Sequence, residues 1–409
     1  MTVLRFTTAG ESHGQALVAL VEGVPAGLPL LAADVNAELA RRQQGYGRGR
    51  RMQIERDSAE LLAGVRAGET TGAPIAMLVR NADWRNWEAI MDPAPRPEDA
   101  DGPDGRALRA RAVTRVRPGH ADLVGLLKYD RADARDVLER ASARETTARV
   151  AAGAVCKRLL SEVGIRVGSH LVHLGGIDAA LPTALPEDLN AAADRSPLRT
   201  LDADAERRMI ERVDAAKAAG DTLGGVCEVV ATGLPVGLGS HVSWDRKLDG
   251  RLAQALMSIH AVKGVEIGLG FDAARRPGSA VHDHIVGGDH APTRATNRAG
   301  GLEGGVTTGE PLVLRVAMKP ITTLMRPLGT VDVRTGDAAA ASVERSDVTA
   351  VPAMGVIAEA MTAFVLAQAL LEKCGGDSLS EVRRNLDGFL AHARTRVPRV
   401  TPAPAEAAP

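Results

Sequence analysis

Two histidines stand in glycine-containing turns beside arginines, and that pairing is the first sign of chemistry in the sequence. His13 lies in "GESHG" (10–14) and His120 in "RPGHAD" (117–122). Imidazole has an ordinary pKa of about 6.5, so it gives or takes a proton near neutral pH. The neighbouring glycines let a ligand come close to the main chain. Alone, each histidine also fits a solvated or capping residue; a single site explains both. Between them runs "RRQQGYGRGRRMQIERD" (41–57), six arginines broken by Gly45, Gly47 and Gly49. Guanidinium forks match phosphate and carboxylate oxygens two at a time. The stretch is a solvated basic loop, a nucleic-acid patch, or a clamp on a small molecule with several negative charges. The net charge of −1 and the 2% aromatic content favour the small molecule, because single strands are held by stacked rings in a basic groove.

Four more stretches bear on the same question. "ERASARETTAR" (139–149) is either a salt-laced helix surface with i, i+4 pairs or an extended approach to a helix that turns Ser142 and Arg144 toward a ligand. "MSIHAVKGVEIGLGF" (257–271) brings a helix to a glycine-rich turn. "NRAGGLEGGVTTGEP" (297–311) carries two glycine pairs, and "MKPITT" (318–323) offers a lysine and hydroxyls suited to phosphate oxygens. The sequence holds no G-x-G-x-x-G, no Walker A loop, no nucleophile elbow and no metal-binding triad. Cys156, Cys227 and Cys374 are far apart with no C-x-x-C, which suits a reducing compartment and offers no metal site.

These motifs need a frame. A chain of 409 residues, 45% of them hydrophobic, can bury a sizeable core. "VLRFTT" and "ALVALVEGV" are expected strands, and "AADVNAELARR" a helix with Val35 and Leu39 on one face. "AELLAGVRAGETTGAPIAMLVRN" has the pattern of a hairpin, and residues 91–110 that of a polar surface loop, a candidate lid or a passive insertion. A long helical pattern covers 134–164. A strand at 166–176, a helix at 204–220 and a strand at 224–234 follow. A helix is expected at 247–264, a strand at 310–320 and a final helix from Ala353 to Lys373. Strands in runs separated by helices, without regular alternation, indicate the α+β class. The window 354–371 is apolar and just long enough for a bilayer, but Glu359 and Gln368 mark it as a core helix. The N-terminus lacks a signal-peptide pattern. The expectation is one catalytic domain over 1–394, a disordered Pro/Ala-rich tail over 395–409, and a soluble cytoplasmic protein with no membrane or nucleic-acid partner.

Taken in order, "GESHG", "GRGRRMQIERD", "RPGHAD", "ASARETTARVAAGA", "MSIHAVKGVEIGLGF" and "NRAGGLEGG" resemble the signatures of chorismate synthase. The resemblance covers nearly the whole chain apart from the acidic loop around Asp101 and the tail. It implies a β-α-β sandwich, two antiparallel sheets around a helical layer, assembled as a homotetramer. It implies 1,4-anti-elimination of phosphate from 5-enolpyruvylshikimate 3-phosphate to give chorismate, the last step of the shikimate pathway in aromatic amino acid biosynthesis. Reduced FMN is required without net redox change. A substrate with a phosphate and two carboxylates calls for an arginine clamp, and the resemblance assigns it to Arg42, Arg48, Arg51, Arg117 and Arg144. Arg42 and Arg48 also fall where members with reductase activity hold a pyridine nucleotide. His13 would protonate the departing phosphate, and His120 would supply a proton to the reduced flavin. The FMN positions are Arg140, Ala141, Ser142, His260, Ala261, Gly304, Lys319, Pro320, Ile321, Thr322, Thr323 and Arg345, with Asp347 near flavin N5.

Two departures stand out. The family's usual "GRHDP" is "ERSDV" here (344–348), with Ser346 in place of histidine, and "SINA" is "SIHA", with His260 against the flavin. With no visible reductase domain, an external flavin reductase is expected, and NADPH enters only as a flavin reductant. Two other classes remain at this stage: a basic-loop nucleic-acid binder with salt-sensitive binding, and an NADPH-dependent flavin oxidoreductase with net NADPH oxidation.

Overall fold

A computed structural model of the chain describes residues 4–49, 56–94, 112–287, 292–343 and 347–396. β1 (Arg5–Ala9) and β2 (Ala16–Glu22) pair antiparallel around the "GESHG" turn. Along β2, Leu17, Ala19 and Val21 are buried while Val18 and Leu20 are each 37% exposed, the two-residue period of a strand. β3 (Ala59–Ala63) and β4 (Ile75–Arg80) are the arms of the expected hairpin, with a small ribbon, Val65–Arg66 against Glu69–Thr70, at its tip. The four strands form an antiparallel sheet in the order β1-β2-β4-β3.

A second antiparallel sheet contains β5 (Arg166–Leu174), β6 (Gly225–Thr232), β7 (Val262–Ile267) and β8 (Leu312–Met318). Its order is β7-β8-β6-β5, with the two-residue strand Ile177–Asp178 on the edge. Helices that bear on the site and core are α1 (Ala32–Gln43), α2 (Asp122–Tyr129), α3 (Arg135–Leu138), α4 (Thr146–Ser161), α5 (Ala203–Ala219), α6 (Leu248–Met257), α7 (Val351–Cys374) and α8 (Leu379–Arg396); short helical turns also occur at Glu88–Met91 and Leu189–Ala193.

α4 rests on β1 and β2, α7 rests on β5, β6 and β8, and the two helices pack on each other. Both are buried along most of their length, so neither carries the polar stripe of a surface helix. Their approach is close at Gly153, where an added Cβ would sit 2.3 Å from the Cβ of Ala360. α7 is long and apolar enough to cross a membrane, yet it is wrapped by α1, α4, α6 and the second sheet. It is a core helix, as its charged residue suggests.

Two expectations need correction. The helix expected over 247–264 ends at Met257, and Val262–Ile267 is strand β7. Val262, Val265 and Ile267 are β-branched, and pairing with β8 favours the strand. The long helix over 134–164 is broken: α3 has one turn, a 3-10 turn spans Ala143–Glu145, and α4 begins at Thr146. Ser142 is extended and its Oγ accepts a hydrogen bond from Arg144 N at 3.3 Å, so a local cap interrupts the helix. α8 follows the expected final helix and runs through Arg396, past the boundary at 394, while 397–409 and the 95–110 part of the acidic loop lie outside the described residues.

A carboxylate sits within this core. Glu359, midway along α7, is fully buried. Its carboxylate accepts from Arg41 Nη1 (2.8 Å) and Nη2 (3.0 Å), Lys157 Nζ (2.8 Å), Arg199 Nη2 (3.0 Å) and Ser169 Oγ (2.6 Å). Burial alone would push this carboxyl up, but the charges of Lys157, Arg41 and Arg199 outweigh it and hold the group well below the usual range. Removing one partner of a buried, paired charge typically costs about 3–5 kcal/mol. Glu359→Ala is expected to lose stability on that scale, read as a lower urea midpoint; a midpoint within 1 kcal/mol (order of magnitude) of wild type would show the network to be dispensable.

Candidate active site

The first corner is the β1–β2 turn. Gly10 has φ +107°, and a Cβ there would lie 2.4 Å from Ala16 O, so only glycine fits. The turn points His13 at Glu139, just past α3. His13 Nδ1 lies 2.9 Å and 3.0 Å from the two Glu139 carboxylate oxygens, and His13 N donates to Oε2 at 2.8 Å. The imidazole stacks on Trp87 with centroids 3.7 Å apart. Arg135 pairs with Glu139 at 2.9 Å and lies over the Trp87 ring.

The second corner is the start of α2. Asp122 is fully buried. It accepts from Arg117 N (3.1 Å), Nε (2.8 Å) and Nη2 (3.0 Å), and its Oδ1 lies 2.5 Å from His120 Nδ1. Burial pushes its carboxyl up, but the hydrogen bonds from His120 and Arg117 prevail and hold it well below the usual range. Lys319 Nζ donates to Gly119 O at 2.6 Å. Thr322 lies close to Gly119 as well. The "KPITT" run is thus placed against the His120 turn, anchored at Ile321 O by Thr222 Oγ1 (2.7 Å), with Thr323 buried beyond.

The arginines form the floor. Arg42, in the last turn of α1, is buried and donates to Thr146 Oγ1 (2.9 Å and 3.0 Å) and Ala143 O (2.8 Å). Arg144 Nη1 meets Asp57 Oδ1 at 2.5 Å, and Arg42 Nη1 is 3.7 Å from Asp57 Oδ2. Arg48 Nε lies 3.1 Å from Asp347 Oδ2, and Gly49 N donates to Asp347 Oδ1 at 2.6 Å. Burial pushes Arg42 down to about 10; Asp57 opposes this, while Arg48 and Arg144 add to it. It remains charged at neutral pH.

The other expected residues divide. Arg140 donates to Thr8 O (2.9 Å), Thr8 Oγ1 (2.7 Å) and Gly10 O (3.0 Å), so it braces the His13 turn; Ala141 follows, and Ser142 Oγ meets Ser12 Oγ at 3.2 Å. His260 Nδ1 is buried, finds no hydrogen-bond partner among the described residues and lies 4.0 Å from Glu145 Oε2. Burial pushes His260 down to about 4; Glu145 opposes, and the charges of Arg149, His120 and Arg140 contribute to the fall. Ala261 holds a left-handed φ of +64°, rare for a residue with a side chain, and its carbonyl accepts from Lys319 N at 3.0 Å. Gly304 turns the hairpin of Leu302–Glu303 and Val306–Thr307, and its neighbour there is His241. Arg51, Arg345 and Ser346 lie outside the described residues.

The sequence reading missed Asp57, Thr146 and Glu139 as partners, although all three stand in stretches it singled out. It also missed Trp87, one of only three tryptophans in the chain; its rarity beside "NADWRNW" was the available signal.

The chorismate synthase family model matches residues 4–371. The chain is 57% identical over 395 residues to the chorismate synthase of Symbiobacterium thermophilum, covering 96% of this chain and all of that protein. It is 55% identical over 400 residues to that of Geobacter sulfurreducens and 53% over 393 residues to that of Bacillus cytotoxicus, each with the same coverage. A crystal structure of chorismate synthase superposes with a TM-score of 0.76 at 43% identity, covering 96% of this chain and 99% of that one.

The environment of His260 generates a pH prediction. Its folded pKa of about 4 lies below the unfolded value of 6.5, so between these values the unfolded chain binds more protons. This contribution is fully present above pH 6.5 and is lost as pH falls toward 4. Stability of wild type relative to His260→Asn is expected to drop across that interval, measured by urea unfolding at each pH; parallel profiles would show that burial does not hold His260 neutral.

Proposed function

The chain belongs to the chorismate synthase family, and from that premise we propose how its residues divide the work of the family's reaction. That reaction is the 1,4-anti-elimination of phosphate from 5-enolpyruvylshikimate 3-phosphate to give chorismate, in the shikimate pathway to the aromatic amino acids. It is a carbon–oxygen lyase reaction, and it runs with reduced FMN and no net redox change.

The observation that carries the assignment is the gathering of Arg42, Arg48 and Arg144 around Asp57 and Asp347. Guanidinium groups held together at the cost of mutual repulsion are suited to a substrate with a phosphate and two carboxylates. Arg51 and Arg117 complete the proposed clamp. His13 donates a proton to the departing phosphate oxygen. Asp347, held by Arg48 and Gly49, helps move the proton that leaves C6. His120, fixed by Asp122, holds the proton destined for the cofactor.

The residues present fit reduced FMN. His260 Nδ1 is buried with no hydrogen-bond partner among the described residues, Ala261 holds a strained main chain, and Lys319, Thr322 and Thr323 adjoin the His120 turn. We assign Lys319 to Thr323, together with Arg345, to the cofactor's phosphate end, and Arg140 to Ser142, His260, Ala261 and Gly304 to the rest. When bound, the reduced flavin supplies an electron-rich ring that assists expulsion of phosphate. The chain's part is to neutralise the anions, exclude water and place the two imidazoles.

We further propose a β-α-β sandwich layering, with α4 and α7 between the two sheets, and a single domain ending near α8. The homotetramer is proposed from the family resemblance, with Val18 and Leu20, each 37% exposed on β2, available to a subunit contact. A cytoplasmic location with an external flavin reductase fits the family's chemistry, with NADPH serving only as reductant.

The deciding assay is anaerobic. Mixing the protein with dithionite-reduced FMN and 5-enolpyruvylshikimate 3-phosphate is expected to release chorismate and phosphate in equal amounts, with the flavin still reduced. Tight flavin binding without product would reject the assignment. His120→Ala is expected to lower kcat by about 10²- to 10⁴-fold with flavin affinity retained. Arg48→Ala is expected chiefly to weaken substrate binding. A wild-type kcat in the first, or an unchanged substrate Kd in the second, would remove that residue from its role.

A further inference from the structure

We infer that Glu139 is a positioning residue for His13: it fixes a proton on Nδ1 and leaves Nε2 as the nitrogen that meets the substrate's phosphate. The inference rests on the reading of His13 as the acid. An ionised carboxylate only accepts hydrogen bonds. Both Glu139 oxygens lie within reach of Nδ1, at 2.9 Å and 3.0 Å, and Oε2 also takes the His13 main-chain N–H at 2.8 Å. Nδ1 therefore carries hydrogen in both protonation states of the ring. The neutral ring keeps its lone pair on Nε2, and the imidazolium donates from Nε2.

Glu139 is itself held. It is 2% exposed, Arg135 Nη1 pairs with Oε1 at 2.9 Å, and its main-chain oxygen accepts from Ser12 N at 3.0 Å. One residue thus grips the turn through both its side chain and its main chain. Burial pushes the Glu139 carboxyl up, but His13 and Arg135 outweigh it and keep it below the usual range, so it stays an acceptor at neutral pH. The flat face of the ring is fixed separately. Trp87 stacks on it at 3.7 Å and 25°, and the indole Nε1 donates to Asp83 Oδ2 at 2.9 Å. Held on one edge and one face, the ring has a single way to present Nε2.

The proton step balances without rotation of the ring. The imidazolium gives its Nε2 proton to the departing phosphate oxygen, and the electrons of the breaking C–O bond leave with that phosphate. What remains is neutral His13 with hydrogen on Nδ1, the form Glu139 already holds. A ring of the opposite tautomer would turn a proton away from the phosphate and leave the Nδ1 lone pair facing a carboxylate.

The test uses the full chain with 15N-labelled histidine and long-range proton–nitrogen spectra, His13 being assigned by its loss in His13→Gln. Wild type is expected to show Nδ1–H in the neutral ring. Glu139→Gln, whose amide can turn an N–H toward Nδ1, is expected to move the proton to Nε2. A wild-type ring protonated on Nε2, or a tautomer unchanged by Glu139→Gln, overturns the inference. This readout needs no turnover, so it decides the role of Glu139 even if His13→Ala retains wild-type kcat and the reading of His13 as the acid falls. The wild-type spectrum decides it even if the variant does not fold.

Kinetics give the second arm. Glu139→Gln is expected to lower kcat about 100-fold with KM and flavin affinity little changed, and to have no further effect in a His13→Ala background. Equal losses in both backgrounds would show that Glu139 acts on the fold at large, and would sink the proposal.

Discussion

The Glu359 carboxylate fixes how the central helices and the second sheet meet. It lies midway along α7 and gathers cations from α1, from α4 and from the segment that leads into α5, together with a hydroxyl from β5. Taking these charges out of water costs several kcal/mol per ion, recovered only where the geometry is good. A slip of α7 by one turn, which a uniformly apolar contact would tolerate, would strand Arg41, Lys157 and Arg199. The apolar surfaces supply the driving force for packing, and this ion cluster supplies its register.

The arginine floor of the candidate site inherits that register through two adjacent residues. Arg41 and Arg42 share the last turn of α1, about 100° apart around the helix. Arg41 turns to Glu359, and Arg42 to Thr146 and the Asp57 cluster. The charge that locks the core and the charge offered to the site belong to one rigid turn. The imidazoles follow the same logic at different range. His120 takes its carboxylate two residues on, at Asp122, within one turn of chain. His13 takes its carboxylate from Glu139, so its orientation depends on how the first sheet meets α3.

The parts of this arrangement that were legible in the sequence are those set by short-range constraints. The "GESHG" turn, Val35 and Leu39 on α1, and the hairpin of β3 and β4 follow from glycine sterics and periodicity. Glu359 could be read as the mark of a core helix, but not as an ion-pair centre, because its partners lie far off in the chain. Glu139 and Asp57 were hidden for the same reason. Inside arginine-rich stretches they look like neutralising neighbours, and only the fold turns them toward His13 and Arg144. The misjudged helix over 247–264 is a local tie settled by distant pairing. Val262 to Ile267 tolerates either period, and hydrogen bonding to β8 decides for the strand. Resemblance to a family named more residues for the candidate site than local pattern did, since it carries the outcome of distant contacts.

The contacts that close the candidate site also span long stretches of chain. His13 and Glu139 are 126 residues apart, Lys319 and Gly119 are 200 apart, and Gly49 and Asp347 are 298 apart. Each closes a large loop, whose entropy must be paid before the contact forms. A chain still emerging from the ribosome can complete the His13–Glu139 corner early, but the Arg48–Asp347 pair can form only after Asp347 has been made. A truncation before residue 347 would therefore remove the carboxylate that meets both Arg48 and Gly49, while the chain would keep the Asp57 that meets Arg144.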